Sequence, residues 1–177
     1  MPRKSFQSLG KIYFWTATIH QWKYLLLNDE MKNIIIKSLQ YLSEKKLIVL
    51  YAYVIMPNHI HIIWKQCKMN GKEKPNASFL KFTAHEFLKK MKQQKIAKQY
   101  EVNRSNKRHS IWKRDSLAIE LYTKKVMIQK LRYIHKNPIA GKWMLSKNEI
   151  SYKYSSALFY ETGEDEFGIL KDLFNEF

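Results

Sequence analysis

Acidic residues are scarce in this chain. Against 32 lysines and arginines stand 15 aspartates and glutamates, a formal net charge of +17 over 177 residues. Such an imbalance stresses a compact fold through self-repulsion, and its usual counterpart is a polyanionic partner, nucleic acid foremost. A lysine-rich, merely solvated surface is the plainer reading, but here the basic residues cluster and aromatics lie among them. Cysteine is nearly absent: Cys67 stands alone, which excludes an internal disulfide and a cysteine-based zinc cluster. Long apolar runs are missing, so no segment suits a membrane span. The opening Met1-Pro2-Arg3-Lys4-Ser5 leads into no apolar signal region, and a soluble cytoplasmic protein with no membrane contact is expected. With five glycines and four prolines there is no linker, and no internal repeat is visible. One domain over 1–177 is expected, with a folded palm over about 10–140 and an aromatic, then acidic, tail over about 141–177.

What is present divides by periodicity. Lys11 to Trp22 is rich in aromatic and β-branched residues and predicts a first strand. Asn28 suits a helix N-cap, followed by Asp29 and Glu30 and then Met31, Ile34, Ile35, Leu39 and Leu42 at helical spacing. Leu47 to Met56 and His59 to Trp64 predict two strands joined at Pro57-Asn58. Lys68 to Asn76 reads as a loop, and Ser78 as the cap of a second helix running to about Tyr100. Asn103 to Ser110 reads as a basic, flexible loop, and Ile111 to Leu121 as containing a fourth strand. A third helix is predicted from about Thr123 to Lys136, stopped by Pro138 and Gly141. The order β-α-β-β-α-β followed by a helix predicts an α+β, ferredoxin-like (split β-α-β) palm. In it an antiparallel sheet has helices packed on one face and the other face free for a substrate.

The chemistry concentrates in His59-Ile60-His61. Strand side chains alternate, so both imidazoles share a face while Ile60, Ile62 and Trp64 point the other way, towards a core. Two imidazoles on one rigid strand are a fixed pair of metal-ligating nitrogens, or simply strand histidines on a solvated face. A third ligand must come from elsewhere. Tyr133 and Asn137, four apart on the third helix, share a helical face. The amide oxygen of Asn137 is a suitable hard ligand, although Asn137 is equally placed to cap the helix before Pro138. The Tyr133 hydroxyl would lie within reach of anything bound to that metal.

The segments Met56-Pro57-Asn58-His59-Ile60-His61 and Leu131-Arg132-Tyr133-Ile134-His135-Lys136-Asn137-Pro138 resemble the two signatures of single-tyrosine HUH transposases, and within these the REP-associated tyrosine transposases. The likeness spans roughly residues 10 to 160. It implies a ferredoxin-like palm and Mg²⁺ or Mn²⁺ held by His59, His61 and Asn137, with Tyr133 as the nucleophile. It further implies cleavage of single-stranded DNA, with hairpin structure, through a 5′-phosphotyrosine link that is later reversed. The insertion-sequence branch usually has glutamine where this chain has Asn137. The resemblance leaves open a monomer or a homodimer, and plasmid-type relaxases or replication initiators are a further relative. The alternative from another class is a nucleic-acid-binding module on the same palm that has lost catalysis.

Several residues carry two readings. Lys89 and Lys92, on a helical face with Lys81, Lys90, Lys95 and Lys98, either keep the second helix soluble or follow DNA phosphates together with Arg104, Lys107 and Arg108. Lys113, Arg114 and Arg132 are placed to hold a scissile strand. Trp112 is either core or a stacking platform for a base. His135 is two residues from Tyr133, off its face, and suggests DNA contact or solvent exposure. Tyr122 is a rival phenol at a strand–helix junction. Glu120 is either a histidine's partner or a surface carboxylate.

Overall fold

The computed structural model of the chain describes the backbone of residues 6–104 and 107–177, with backbone alone at 103, 104, 107 and 108. Strand β1 is Ile12–Thr18, whose Tyr13, Trp15 and Ala17 point to one side and Ile12 and Phe14 to the other. Helix α1, Asp29–Glu44, starts where the Asn28 side-chain oxygen accepts the Glu30 N–H at 2.8 Å. Strands β2, Ile48–Met56, and β3, His59–Gln66, form a hairpin across Pro57-Asn58. Helix α2, Pro75–Gln93, buries Phe79, Thr83, Phe87 and Met91, one every four residues. It begins three residues before the expected cap, because Pro75 occupies its first turn, where a missing N–H costs nothing.

The span expected as a basic loop is instead paired: β4, Glu101–Arg104, lies antiparallel to β5, Lys107–His109. Strand β6, Leu117–Glu120, joins the far edge of β1, and α3, Lys124–Lys136, follows with the Thr123 hydroxyl accepting from Val126 N–H. A short helix α4, Ala157–Thr162, lies in the C-terminal segment.

The main sheet has the order β2-β3-β1-β6, antiparallel throughout, which is the expected ferredoxin-like arrangement. Helices α1 and α2 cover one face, over a core built on Trp15, Ile60, Ile62, Trp64, Phe79 and Phe87. The other face is not left fully open. There α3 and the C-terminal segment form a second core from Phe14, Val54, Met56, Ile63, Met127, Leu131, Ile134 and Leu173. A bulge at Tyr51 makes this possible, since the pairing of β2 with β3 shifts between Leu50 and Ala52. Beyond it Val54 and Met56 share the face of their partners His61 and His59.

The tail is tied down. Ser155 bridges to Val54 and Leu170 to Leu50, the Tyr152 hydroxyl donates to the Ile55 carbonyl at 2.7 Å, and the Tyr51 hydroxyl donates to Glu176 at 2.6 Å. Truncating the fully buried Leu173 to alanine is therefore expected to cost about 2–4 kcal/mol. Denaturant unfolding checks this, and a loss below ~1 kcal/mol would mean the tail is not part of the second core.

Candidate active site

Antiparallel pairing sets Thr18 opposite His59 and Thr16 opposite His61. His59 and His61 lie on the α3 side of the sheet, while Ile60, Ile62 and Trp64 are buried on the other. Each imidazole is oriented through its Nδ1. That of His61 is 2.7 Å from the Thr16 hydroxyl, and that of His59 is 2.7 Å from the side-chain oxygen of Asn58. Phe14 stacks on His61 at 5.2 Å between ring centroids, and the two histidine rings are 4.8 Å apart. With Nδ1 engaged, Nε2 is the remaining pole of each ring, and that of His61 is buried with no hydrogen-bond partner.

Burial decides the charge of both rings. Desolvation pushes the His59 pKa down to about 4, opposed by a hydrogen bond that the protonated ring donates to the Asn137 side chain. His61 is driven well below its ordinary value by burial, then by His59 and by the positive charge of Lys130. Both are neutral near pH 7, the form that ligates a metal.

Helix α3 supplies the rest. Met127, Leu131 and Ile134 bury its apolar stripe, which fixes the rotation of the helix. Tyr133 is thereby held half-exposed, its ring 5.2 Å from His61 and 5.9 Å from Phe14. Asn137 ends the helix, its amide N–H donating to the Tyr133 carbonyl at 3.1 Å. Its amide nitrogen thus caps the helix, while the same side chain interacts with the His59 ring. Lys130, one turn before Tyr133, holds its ammonium 4.9 Å from the Phe14 ring and 5.7 Å from that of Tyr133. Trp143 lies 6.1 Å from His59, and a cavity of about 350 Å³ is lined by Tyr133, Lys136, Asn137, Lys142 and Trp143, among others.

The donors fit a divalent cation. Among the described residues no group of three His, Cys, Asp or Glu side chains is placed to hold a metal. The available set is two neutral imidazoles plus one amide oxygen. The Nε2 of His61 is buried without a hydrogen-bond partner, and the His59 ring interacts with the Asn137 side chain. So sparse a set suits an ion that keeps several waters.

No protein-family model matches the chain, and no curated protein matches it by sequence. Among solved structures it is similar to a REP-associated tyrosine transposase bound to a REP hairpin, with a TM-score of 0.64 and 16% identity over 98% of this chain and 93% of that one. The two chains share a fold. A candidate transposase from Deinococcus radiodurans is a more distant likeness, with a TM-score of 0.41 and 15% identity over 75% of this chain and 95% of that one.

Within that shared fold the other expected site residues scatter. Lys89 and Lys92 are exposed on α2, in the layer across the sheet from the histidines. Lys113 stands at the end of β1, its N–H donating to the Thr18 carbonyl at 2.7 Å, and Arg114 follows it. Arg132 is exposed beside Tyr133. The side chains of Arg104, Lys107 and Arg108 lie outside the described residues. Trp112 is corrected to core: its indole is buried against Phe79 and Phe87 and donates to the Thr83 hydroxyl at 2.9 Å. His135 is neither exposed nor free for DNA; it is buried, 3.0 Å from the Ser156 hydroxyl and packed on Tyr160. Tyr122 is exposed at the β6–α3 junction, and Glu120 pairs with Lys11 at 2.8 Å on the surface. Lys130 and Trp143 were not anticipated. The spacing of Lys130 three residues before Tyr133 pointed to it; nothing local pointed to Trp143.

Burial lowers the His135 pKa from 6.5 to about 4. The unfolded chain then takes up this proton first as pH falls, so the stability held above about pH 6.5 is lost on the way to pH 4, up to about 3 kcal/mol. The stability advantage of wild type over His135→Gln is expected to shrink from pH 7 to pH 4, measured by denaturant unfolding at each pH. A pH-independent difference would contradict a buried neutral imidazole.

Proposed function

We propose that this chain cuts and rejoins single-stranded DNA, with Tyr133 as the nucleophile. The observation that carries the reading is the phenol of α3 at rest beside the two imidazoles of β3, ring to ring at 5.2 Å with His61. The +17 charge and the fold shared with a transposase solved on a REP hairpin support DNA bearing a hairpin as the substrate.

A phosphodiester is a poor electrophile because its oxygens are negative, and Mg²⁺ or Mn²⁺ held by His59, His61 and the Asn137 oxygen would neutralise that charge. The chain's own groups do the rest. Thr16 and Asn58 hold the imidazoles in one orientation through Nδ1. The Asn137 amide, by capping the Tyr133 carbonyl, ties the ligand and the nucleophile to one helical turn. Lys130 provides a cation beside the phenol for a phosphate oxygen. The phenol oxygen attacks phosphorus in line and the bond to the 3′-oxygen breaks. The phenolic proton passes to solvent, and the departing 3′-oxygen takes one up. The 5′-phosphate stays on Tyr133. A tyrosine phenol, with an ordinary pKa of about 10, is a better leaving group than an alkoxide. The free 3′-hydroxyl can therefore attack the ester and restore the phosphodiester without ATP.

The test is incubation with hairpin-bearing single-stranded DNA and Mn²⁺, followed by denaturing electrophoresis. A covalent protein–DNA adduct is expected, lost in Tyr133→Phe and under chelation. A mobility shift without any adduct would leave only a binding module. His59→Ala and His61→Ala are expected to abolish the adduct while changing salt-sensitive DNA affinity by less than about threefold. An equal loss of affinity and cleavage would make the histidines structural or DNA-contacting groups.

A further inference from the structure

We propose that Trp22, Tyr24 and Trp143 form a stacking track for unpaired bases, leading out of the histidine site. The inference rests on the nucleic-acid reading above and assigns where the single strand runs.

The segment between β1 and α1 carries the unusual features. Trp22 and Tyr24 are 56% and 52% exposed, so neither ring serves the core. Gln21 and Trp22 both have φ of 57°, a left-handed conformation that bulky residues rarely adopt. The turn is held there rather than relaxed. The Asn58 amide N–H donates to the Trp22 carbonyl at 3.2 Å, Trp22 N–H donates to the Ile19 carbonyl at 2.9 Å, and Leu26 N–H donates to the Pro57 carbonyl at 2.9 Å. Residues held in sparsely populated backbone conformations cluster at binding sites and switch regions. Asn58 is also the residue whose oxygen orients His59, so one buried side chain fixes both the imidazole and the turn.

The rings continue towards the site. Tyr24 lies 5.7 Å from Trp143, and Trp143 lies 6.1 Å from His59. Cations flank them: the Lys113 ammonium is 5.7 Å from the Trp22 ring and that of Lys142 is 5.0 Å from the Trp143 ring. Beneath Trp22 and Tyr24 opens a groove of about 820 Å³, also lined by Leu27, Ile96 and Tyr100, and no carboxylate is among its described lining residues. Flat apolar rings beside ammonium groups match an unpaired base with its phosphate. A duplex does not fit this description, because its bases already stack and pair with each other.

The test uses a fluorescent oligothymidylate of about ten nucleotides at fixed salt, in EDTA and in the Tyr133→Phe background, so that chemistry contributes nothing. Trp22→Ala and Tyr24→Ala are each expected to weaken binding about tenfold, with Trp22→Phe and Tyr24→Phe within about threefold of the parent. A blunt duplex of equal length is expected to bind parent and variants alike. A fully abasic strand of the same charge, which needs no variant, is expected to bind the parent at least about tenfold more weakly than oligothymidylate. Affinities within about twofold for the alanine variants or for the abasic strand would overturn the track, as would an equal loss for duplex. The readouts are separate from the adduct assay. Adduct formation with no stacking loss removes the track alone, and stacking loss with no adduct removes the chemistry alone.

Discussion

Ile60, Ile62 and Trp64 hold His59 and His61 in place. A strand has a strict two-residue alternation, so burying those three on the α1–α2 side obliges the histidines to face α3. A slip of one residue would expose the core side chains and turn both imidazoles into the main core. The apolar face thus enforces a register that the histidines could not enforce for themselves. The same register brings Thr16 opposite His61, and the Tyr51 bulge brings Val54 and Met56 round to line the same face.

The second core performs the corresponding service for α3. Its apolar stripe, rather than any polar contact of Tyr133, decides which way the phenol points. Asn137 then caps the helix end at the Tyr133 carbonyl and meets the histidine strand at His59. The polar groups at this junction are buried and partnered almost throughout, so the partnerless Nε2 of His61 stands out. Leaving such a nitrogen unpaired costs free energy in the folded chain, which a cation bound under the proposed function would recover.

Much of this arrangement was legible in the sequence because it is written in periodicities. Alternation gave the faces of β3, and helical spacing gave Leu131 and Ile134 an inward side and Tyr133 and Asn137 a common one, whereas Met127 rather than Val126 is the buried residue of the first turn. What was not legible depended on partners distant in sequence. His135 is buried because Ser156 and Tyr160 return to meet it, and Trp112 is core because Thr83 and Phe87 already wait there. The β4–β5 hairpin lacks apolar alternation, so no period in the sequence announces its pairing. Pro75 reads as a loop residue in the sequence yet opens α2, because proline both interrupts helices and begins them. Trp22, Tyr24 and Trp143 come from irregular segments, where no period announces a shared surface.

We propose that two neutral imidazoles, one amide oxygen and one phenol converge on a single cation. Anomalous scattering from crystals soaked in Mn²⁺ tests it most directly. The account predicts one strong peak within bonding distance of His59 and His61, bordered by Asn137 and facing the Tyr133 hydroxyl. A peak elsewhere on the molecule, with none between those two rings, would contradict it.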